Sequence, residues 1–245
     1  MAPRLDDLGA VVTGGTRGVG RATALGLATA GASVLVCYLR DEEAASSLAE
    51  QPEWDADRCW TVRADLRTPA GRFALVEAAR EHLGAVDILI NNLGTYEPAP
   101  LISMSTVDIE EDLRTNLTTH ILVTRAVLEL LGDGGSVVNI GAGMAERGRP
   151  AHTLFTTAKA GLAGFTRSLA KELAPRGIRV NTVAPGVVET ERGIDLPPPV
   201  RAALLDAIPL RRFVTARDVA NVVLFLASDL AGCVAGATVK VDGGI

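Results

Sequence analysis

Short apolar runs alternate along the chain with longer segments that have the length and periodicity of helices. A run of four to eight apolar residues bounded by turn residues predicts a buried strand. Such runs lie at Leu8–Val12, Ser33–Tyr38, Cys59–Arg63, Val86–Ile90, Gly135–Ile140, Arg179–Val183 and Ala237–Gly244. Strands that alternate with helices indicate a parallel sheet covered on both faces. We therefore expect an α/β fold, a single doubly wound domain over residues 1–245 with a seven-stranded parallel sheet.

The segments between these runs predict the helices. Several carry boundary signals, such as a proline in the first turn or a glycine after the last turn. The predicted helices are Arg21–Gly31, Asp41–Gln51, Pro69–Leu83, a long helix within Met104–Leu131, a helix that contains Phe155–Lys159, and Asp218–Ser228.

A glycine-rich turn, Thr13–Gly20, joins the first predicted strand to the first predicted helix. Such a turn directs backbone N–H groups and the positive end of a helix to one spot, which suits a pyrophosphate. Gly14, Gly18 and Gly20 remove Cβ atoms where backbone and phosphate must come close. The order strand, turn, helix favours a dinucleotide site in a Rossmann-type domain over a plain tight turn. The predicted cofactor contacts of this turn are Gly14, Thr16, Arg17, Gly18, Val19 and Gly20.

The residues after the second strand bear on the choice of cofactor. An acidic residue there favours NAD(H), whereas basic residues favour the 2′-phosphate of NADP(H). The chain has Tyr38 and Arg40 at this point, with no carboxylate before Asp41, and Arg17 lies in the glycine turn. Arginine recognises phosphate through its forked donors. Two solvated arginines are the plain alternative, but their shared location favours NADP(H).

Composition and charge narrow the possible partners. Hydrophobic residues make up 48% of the 245 residues, enough for a large core, and the net charge is −5 with both signs interspersed. We therefore expect a small-molecule substrate, no nucleic-acid partner and no membrane contact. The first residues lack a signal-peptide pattern, so we expect a cytoplasmic protein. Cys37, Cys59 and Cys233 lack metal-ligand spacing and are predicted to be buried thiols. No metal site is predicted.

The spacing Thr-Gly-x-x-x-Gly-x-Gly at Thr13–Gly20 resembles the single-domain branch of the short-chain dehydrogenase/reductase family, which includes 3-oxoacyl-(acyl carrier protein) reductase and ketoreductase-like members. Other motifs of that family follow in order, although Leu93 stands where the family has alanine. The resemblance implies further cofactor contacts from Asp65, Leu66, Asn91, Leu93, Gly94, Lys159, Pro185, Gly186, Val188 and Thr190. It also implies a substrate lid at about residues 187–207 and a homotetramer or homodimer, with a hetero-oligomer as the alternative.

The same resemblance implies hydride transfer between a nicotinamide and a carbonyl or alcohol carbon. In the family a tyrosine, four residues before a lysine, exchanges the proton, and a serine bonds the substrate oxygen. When the chain is aligned on Lys159, the tyrosine position holds Phe155 and the serine position holds Ala142. Asn116 and Lys159 match the family's remaining catalytic residues. Both hydroxyls that would touch the substrate are therefore missing.

Nearby side chains offer other sources for the proton. Thr156 is turned ~100° away around its helix from position 155. His152 is a candidate whose alternative is a histidine in a surface loop. Tyr96 is a candidate whose alternative is a pocket wall, and His120 is expected to be a packing or interface residue.

Three interpretations follow. In the first, the chain is an atypical NADP(H)-dependent reductase, and an acidic hydroxyl of the substrate, such as a phenol beside the ketone, supplies the proton. In the second, it is a non-redox or silent cofactor-binding homologue, either a cyclase- or lyase-type enzyme or a partner subunit. In the third, it is an engineered knockout of a ketoreductase, although Leu93 argues for natural divergence. We favour the first, with a polycyclic or aromatic small molecule as substrate.

Overall fold

The computed structural model describes residues 4–189 and 197–245. The strands in these ranges are β1 (Gly9–Thr13), β2 (Ser33–Tyr38), β3 (Cys59–Arg63), β4 (Val86–Asn91), β5 (Leu131–Ile140), β6 (Arg179–Pro185), β7 (Val188–Glu189), β8 (Val214–Thr215) and β9 (Thr238–Val241). The α-helices are α1 (Gly18–Thr29), α2 (Glu42–Ala49), α3 (Pro69–His82), α4 (Thr106–Leu113), α5 (Thr119–Val127), α6 (Met144–Arg147), α7 (Thr153–Leu173), α8 (Pro198–Ala207) and α9 (Ala216–Ala227).

Seven of the strands form one parallel sheet in the order β3-β2-β1-β4-β5-β6-β9. The predicted seven-stranded parallel sheet is confirmed. The order reverses at β1, which pairs with β2 on one side and β4 on the other. In sheets of this kind, ligands bind outside the carboxyl ends of the strands at the reversal point. The parallel pair β7 and β8 was not predicted, because two residues carry no periodicity.

The core lies in two layers, one on each face of the sheet. Successive residues of β1 point to opposite faces, so Ala10 and Val12 join one layer and Val11 joins the other. Helices α1 and α9 cover the first layer, and helices α3, α5 and α7 cover the second. Because β1 and β2 are buried on both faces, their sequences are largely apolar.

The long helix predicted within Met104–Leu131 is interrupted. Helix α4 ends at Leu113, and residues Arg114–Thr118 form a π-helical turn that leads into α5. The Thr119 N–H donates to the Arg114 carbonyl, five residues earlier. Such π turns occur often at functional sites.

Two of the three cysteines are buried as predicted. Burial raises the pKa of the Cys37 thiol to about 12, and Cys59 is also buried. The prediction is wrong for Cys233, which is exposed in a turn before β9. Within the described ranges, every helix is too short or too polar to cross a membrane.

Candidate active site

The glycine turn lies at the carboxyl end of β1, where the strand order reverses. Gly14 and Gly18 have φ angles of +62° and +50°, which residues with side chains rarely adopt. The N–H groups of Gly14 and Gly15 donate to the Cys37 carbonyl at 2.8 and 3.3 Å, which fastens the turn to β2. Helix α1 has no acidic residue in its first turn. The positive end of its dipole therefore meets no carboxylate from that turn.

Gly20 has a packing role. A Cβ at this position would lie 2.3 Å from the Gly14 carbonyl oxygen and 2.5 Å from Asn92 Nδ2. The missing side chain thus lets α1 pack against the turn itself, whereas the sequence had suggested room for phosphate. Of the other residues predicted in the turn, Thr16 is buried and Val19 packs against the core.

The turn is also held by the segment after β4. Asn92 Nδ2 donates to the carbonyl oxygens of Thr13 and Gly14 at 3.1 and 2.8 Å. In return, Thr13 Oγ1 accepts from the N–H groups of Asn92 and Leu93 at 2.9 and 3.1 Å. Two neighbouring strand ends are therefore locked together at the predicted phosphate site.

Asn91 behaves differently from its neighbour. Its side chain is 1% exposed and donates to Thr124 Oγ1 at 2.8 Å and to Asn139 Oδ1 at 2.9 Å. The Asn91 side chain therefore joins β4 to α5 and β5 inside the core, contrary to the expected cofactor contact.

At the other edge of the glycine turn, two arginines lie close to the end of β2. Tyr38 is half-buried and Arg40 is exposed. The Arg17 guanidinium forms an ion pair with Asp41. Asp41 also caps α2 by accepting from the Ala44 N–H at 2.9 Å. Asp41, the first carboxylate after β2, is therefore already bound to the Arg17 guanidinium and to the N-terminus of α2.

Asp65 and Leu66 follow β3. Hydrogen bonds from the Arg67 side chain lower the pKa of Asp65, and the two side chains form an ion pair at 2.7 Å. Leu66 is 1% exposed and packs in the core. The side chain of Leu66 therefore serves packing, and its expected place beside a cofactor has no support from the side-chain position.

Lys159 and Asn116 meet below the loop after β4. Lys159 is 5% exposed, and its Nζ donates to the Ile140 carbonyl at 2.9 Å. Burial lowers the pKa of Lys159 to about 8, although the nearby Asp112 carboxylate acts in the opposite direction. Asn116 Oδ1 accepts from the Thr95 N–H at 3.1 Å, while its buried Nδ2 has no hydrogen-bond partner in the described chain.

Gly94 lies next to the side chains of Asn116 and Lys159. A Cβ there would lie 3.0 Å from Asn116 Oδ1 and 3.7 Å from Lys159 Nζ. The adjacent Leu93 carbonyl accepts from His120 Nε2 at 2.6 Å. Burial lowers the pKa of His120 to about 3, so its ring is neutral and holds the loop in place. This agrees with the packing role expected for His120.

An aromatic cleft borders Lys159. Phe155 is half-buried on α7, and Lys159 Nζ lies 5.7 Å from the centre of its ring. Tyr96 meets Phe155 edge to face, with ring centres 5.1 Å apart. Met104, Leu154 and Asp112 line the same cleft, and burial raises the pKa of Asp112.

His152 lies at the end of this cleft. It is only 7% exposed, so the expectation of a surface-loop histidine is wrong. Its Nε2 is hydrogen-bonded to the Tyr96 hydroxyl, and its Nδ1 donates to the Pro150 carbonyl at 2.6 Å. The structure thus brings Tyr96, His152 and Phe155 together with Lys159. Ala142 is half-buried in the loop after β5, and its carbonyl accepts from the Ala145 N–H.

Comparisons with known proteins agree with this geometry. A family profile described as enoyl-(acyl carrier protein) reductase matches residues 14–245. A 3-oxoacyl-[acyl-carrier-protein] reductase FabG from Aquifex aeolicus is 38% identical over 247 residues, which cover 100% of each chain. The chain belongs to the short-chain dehydrogenase/reductase family.

Solved structures support the same assignment of this short-chain dehydrogenase/reductase. A family member from Brucella melitensis has a TM-score of 0.94 at 30% identity, covering 100% of this chain and 98% of the other. A short-chain dehydrogenase from Burkholderia cenocepacia, solved in complex with NADP, has a TM-score of 0.92 at 33% identity and covers 98% of each chain.

In this family member, the predicted cofactor contacts Pro185, Gly186 and Val188 lie at the end of β6 and directly after it. The Pro185 carbonyl accepts from the Gly143 N–H at 2.7 Å, and the Gly186 N–H donates to the Val241 carbonyl at 2.9 Å. A Cβ at Gly186 would lie 2.8 Å from the Asp242 Cα, so the backbone passes close to β9. Val188 opens β7.

Part of the predicted lid, about 187–207, falls outside the described residues, and so does Thr190. The described part ends in helix α8, Pro198–Ala207, whose exposed Arg201 pairs with Glu189 at 3.3 Å.

Sequence reasoning overlooked two features of this short-chain dehydrogenase/reductase. Asn92 lies between the predicted contacts Asn91 and Leu93, but its hydrogen bonds to the glycine turn depend on the pairing of β1 with β4. The bond between Tyr96 and His152 joins positions 56 residues apart. Only the fold places them together.

Proposed function

We propose that the chain is an NADP(H)-dependent ketoreductase for an aromatic or polycyclic ketone, and that it works without its family's serine and tyrosine. The observation that carries the proposal is the position of Lys159 and Asn116 beside an aromatic cleft whose nearest wall is Phe155. The similarity to 3-oxoacyl-[acyl-carrier-protein] reductases supports ketone reduction.

The residues at the switch point fit a dinucleotide. Gly14 and Gly18 adopt the backbone angles of a phosphate-binding turn, and α1 points its positive end at this spot. The Asp41 carboxylate is bound to Arg17 and to the N-terminus of α2. This arrangement favours a 2′-phosphate over a free ribose 2′-hydroxyl as the group beside Arg17 and Arg40. The relative solved with NADP supports the same choice.

When bound, a reduced nicotinamide supplies a hydride to the carbonyl carbon of the substrate. The carbonyl oxygen must then receive a proton, which neither the phenyl ring of Phe155 nor the methyl group of Ala142 can give. We infer that a phenolic hydroxyl beside the ketone transfers its own proton to that oxygen. Proximity within one molecule replaces the missing tyrosine.

The side chains beside Lys159 favour such a substrate. Tyr96, Phe155 and Met104 place aromatic and apolar groups at this point, and groups of this kind pack well against planar rings. Lys159, whose ammonium group is held by the Ile140 carbonyl, remains available to position cofactor and substrate oxygens. The family's proton donor is thus replaced, while the positioning lysine is kept.

The test compares 1-hydroxy-2-acetonaphthone with its O-methyl ether, using NADPH oxidation as the readout. The parent ketone is expected to be reduced, and methylation should slow the reaction about 10²-fold or more, the usual effect of losing a general acid. The variant Phe155→Tyr should not be required for turnover of the parent ketone.

Three results would contradict the proposal. Equal rates for both ketones would place the proton source in the protein. Activity only after Ala142→Ser and Phe155→Tyr are combined would indicate a silenced or engineered reductase. NADPH binding without oxidation in any variant, with any ketone, would favour a non-redox role.

A further inference from the structure

The Tyr96–His152 pair has a defined direction of hydrogen bonding. The Pro150 carbonyl can only accept, so His152 Nδ1 carries a hydrogen and donates to it at 2.6 Å. In the neutral ring, Nε2 is therefore an acceptor, and the Tyr96 hydroxyl donates to it. When a solvent proton binds Nε2, the direction reverses, and the Tyr96 hydroxyl becomes free to donate elsewhere.

The side chains around Tyr96 and His152 determine where the Tyr96 hydroxyl can donate once the hydrogen bond is reversed. Tyr96 is 49% exposed, so this residue borders solvent while its hydroxyl is bonded to the buried His152. Its ring rests edge-on against Phe155, whose ring in turn lies near Lys159 Nζ. The imidazole of His152 is buried behind it, and the His152 carbonyl accepts from the Thr156 N–H in the first turn of α7. The histidine is thus held by α7 and by Pro150, while Tyr96 is exposed and contacts both His152 and Phe155.

Under the proposed function, the reaction leaves a negative charge on the substrate, which the Tyr96–His152 pair can neutralise. A substrate phenol that protonates the carbonyl oxygen is left as a phenolate inside the cleft. A phenolate surrounded by aromatic and apolar side chains is costly unless a donor compensates its charge. Phe155, Leu154 and Met104 offer no such donor, so the donors nearest to these walls are the Tyr96 hydroxyl and the Lys159 ammonium group.

We propose that Tyr96 and His152 form a proton relay that returns a proton to the substrate phenolate; this rests on the proposed function. A lone pair of the phenolate oxygen takes the proton of the Tyr96 hydroxyl as that O–H bond breaks. The Tyr96 oxygen takes the proton of His152 Nε2 in the same way, which leaves a neutral imidazole that still donates from Nδ1 to Pro150. A solvent proton then restores the starting state. Tyr96 is the catalytic residue and His152 the positioning residue behind it.

The test is a single-turnover stopped-flow experiment with NADPH and 1-hydroxy-2-acetonaphthone, recorded as full spectra. The unaltered protein should oxidise NADPH without a detectable naphtholate absorption band. Tyr96→Phe keeps the ring contact with Phe155 but removes the relay. This variant should show a transient naphtholate band and, in parallel steady-state assays, a kcat reduced about 10²-fold, with unchanged NADPH affinity.

Two further variants separate proton transfer from packing. His152→Gln keeps an N–H donor for the Tyr96 oxygen but cannot release a proton, so it should behave like Tyr96→Phe. His82→Gln is the matched control, because His82 stacks on Trp60 in another part of the fold, and it should leave spectra and rates unchanged. Thermal melting curves establish that each variant is folded.

The relay is overturned if Tyr96→Phe reacts without naphtholate at the original rate, if it changes only KM, or if His152→Gln is fully active. If the methyl ether reacts as fast as the parent and Tyr96→Phe slows both, the tyrosine protonates the carbonyl directly. That result overturns the substrate-borne proton and the relay but leaves the ketoreductase assignment. If the unaltered protein oxidises no NADPH with either ketone, the ketoreductase proposal fails and the relay fails with it.

Discussion

At the scale of single residues, Arg17 and Arg40 decide the expected cofactor preference. Arg17 forms a partly exposed ion pair with Asp41, and Arg40 is exposed. Because both side chains lie at the surface, both can rotate toward a 2′-phosphate. Replacing both by alanine should weaken NADPH binding about 10-fold or more, since hydrogen bonds to charged groups contribute about 1.5–3 kcal/mol each. NADH binding should change little. Fluorescence titration with both cofactors measures the effect, with Arg58→Ala as a distant control.

Two results would contradict the expected role of Arg17 and Arg40. Equal affinity of the unaltered protein for NADPH and NADH would refute the assignment. Loss of both affinities in the double variant would mean that the arginines hold the turn rather than the phosphate.

Lys159 should make cofactor affinity depend on pH. Its pKa is about 8 in the free protein because the ammonium group is buried. A bound ribose would favour the ammonium form as a hydrogen-bond donor. The Kd for NADPH should therefore be constant below pH 8 and should rise as the pH increases beyond it. Titrations of Lys159→Met should give weaker binding with a flat profile over the same range, whereas a pH-dependent profile in that variant would assign the titration to another group.

At the scale of elements, the sequence predicts most of the architecture. The apolar runs locate all seven strands of the main sheet, although only the inner strands are buried on both faces and the edge strands β3 and β9 are partly exposed. Strand ends were shifted by a few residues; β5 begins at Leu131, before the predicted Gly135. The break at Arg114–Thr118 could not be predicted, since a π turn changes the hydrogen-bond partner without changing the side-chain pattern.

The candidate site was predictable only in part, for a related reason. Parallel strands bring their carboxyl ends to one edge, so Gly14 could be assigned from the order strand, turn, helix, whereas Gly94 was implied by the family resemblance. The environment of His152 depends on where the loop after β4 passes, and no local pattern encodes that path. Asn91 and Asn92 are neighbours whose side chains point to opposite sides of the sheet end, and the motif alone does not separate their roles.

The packing of α1 against the glycine turn gives a prediction at this scale. Gly20→Ala would force a Cβ to within 2.3 Å of the Gly14 carbonyl oxygen. The expected cost is about 1–3 kcal/mol of unfolding free energy, together with loss of NADPH binding as the turn shifts. Gly132→Ala is the matched control, because its nearest neighbour would be Asp87 Oδ1 at 3.5 Å, an ordinary contact. Urea unfolding of both variants checks the difference, and equal stability would show that the turn can adapt.

At the scale of the whole molecule, the family resemblance implies subunit contacts through the long helices that carry Asn116 and Lys159, and through the last strand and the helix before it. Large apolar side chains are exposed on several of these elements. Val107 on α4 is 72% exposed, Ile121 on α5 is 37% exposed, and Phe225 on α9 is 38% exposed. Exposed apolar surface of this kind marks association sites when it forms patches. Two separate self-complementary patches would build a closed tetramer from two kinds of dimer contact.

We therefore expect light scattering at micromolar concentration to give two or four times the 25.5 kDa of one chain. Phe225→Glu should break the contact through α9, and Ile121→Glu the contact through α5, since each places a charge in an apolar interface. If the unaltered protein is a tetramer, either variant alone should leave a dimer and the two together a monomer; if it is a dimer, one of the two variants alone should give a monomer. Phe73→Glu is the control: Phe73 is 68% exposed on α3, outside both predicted contacts, and its replacement should not change the mass. A monomeric unaltered protein would contradict the prediction, and a monomer that pairs only with a different homologous chain would favour the hetero-oligomer.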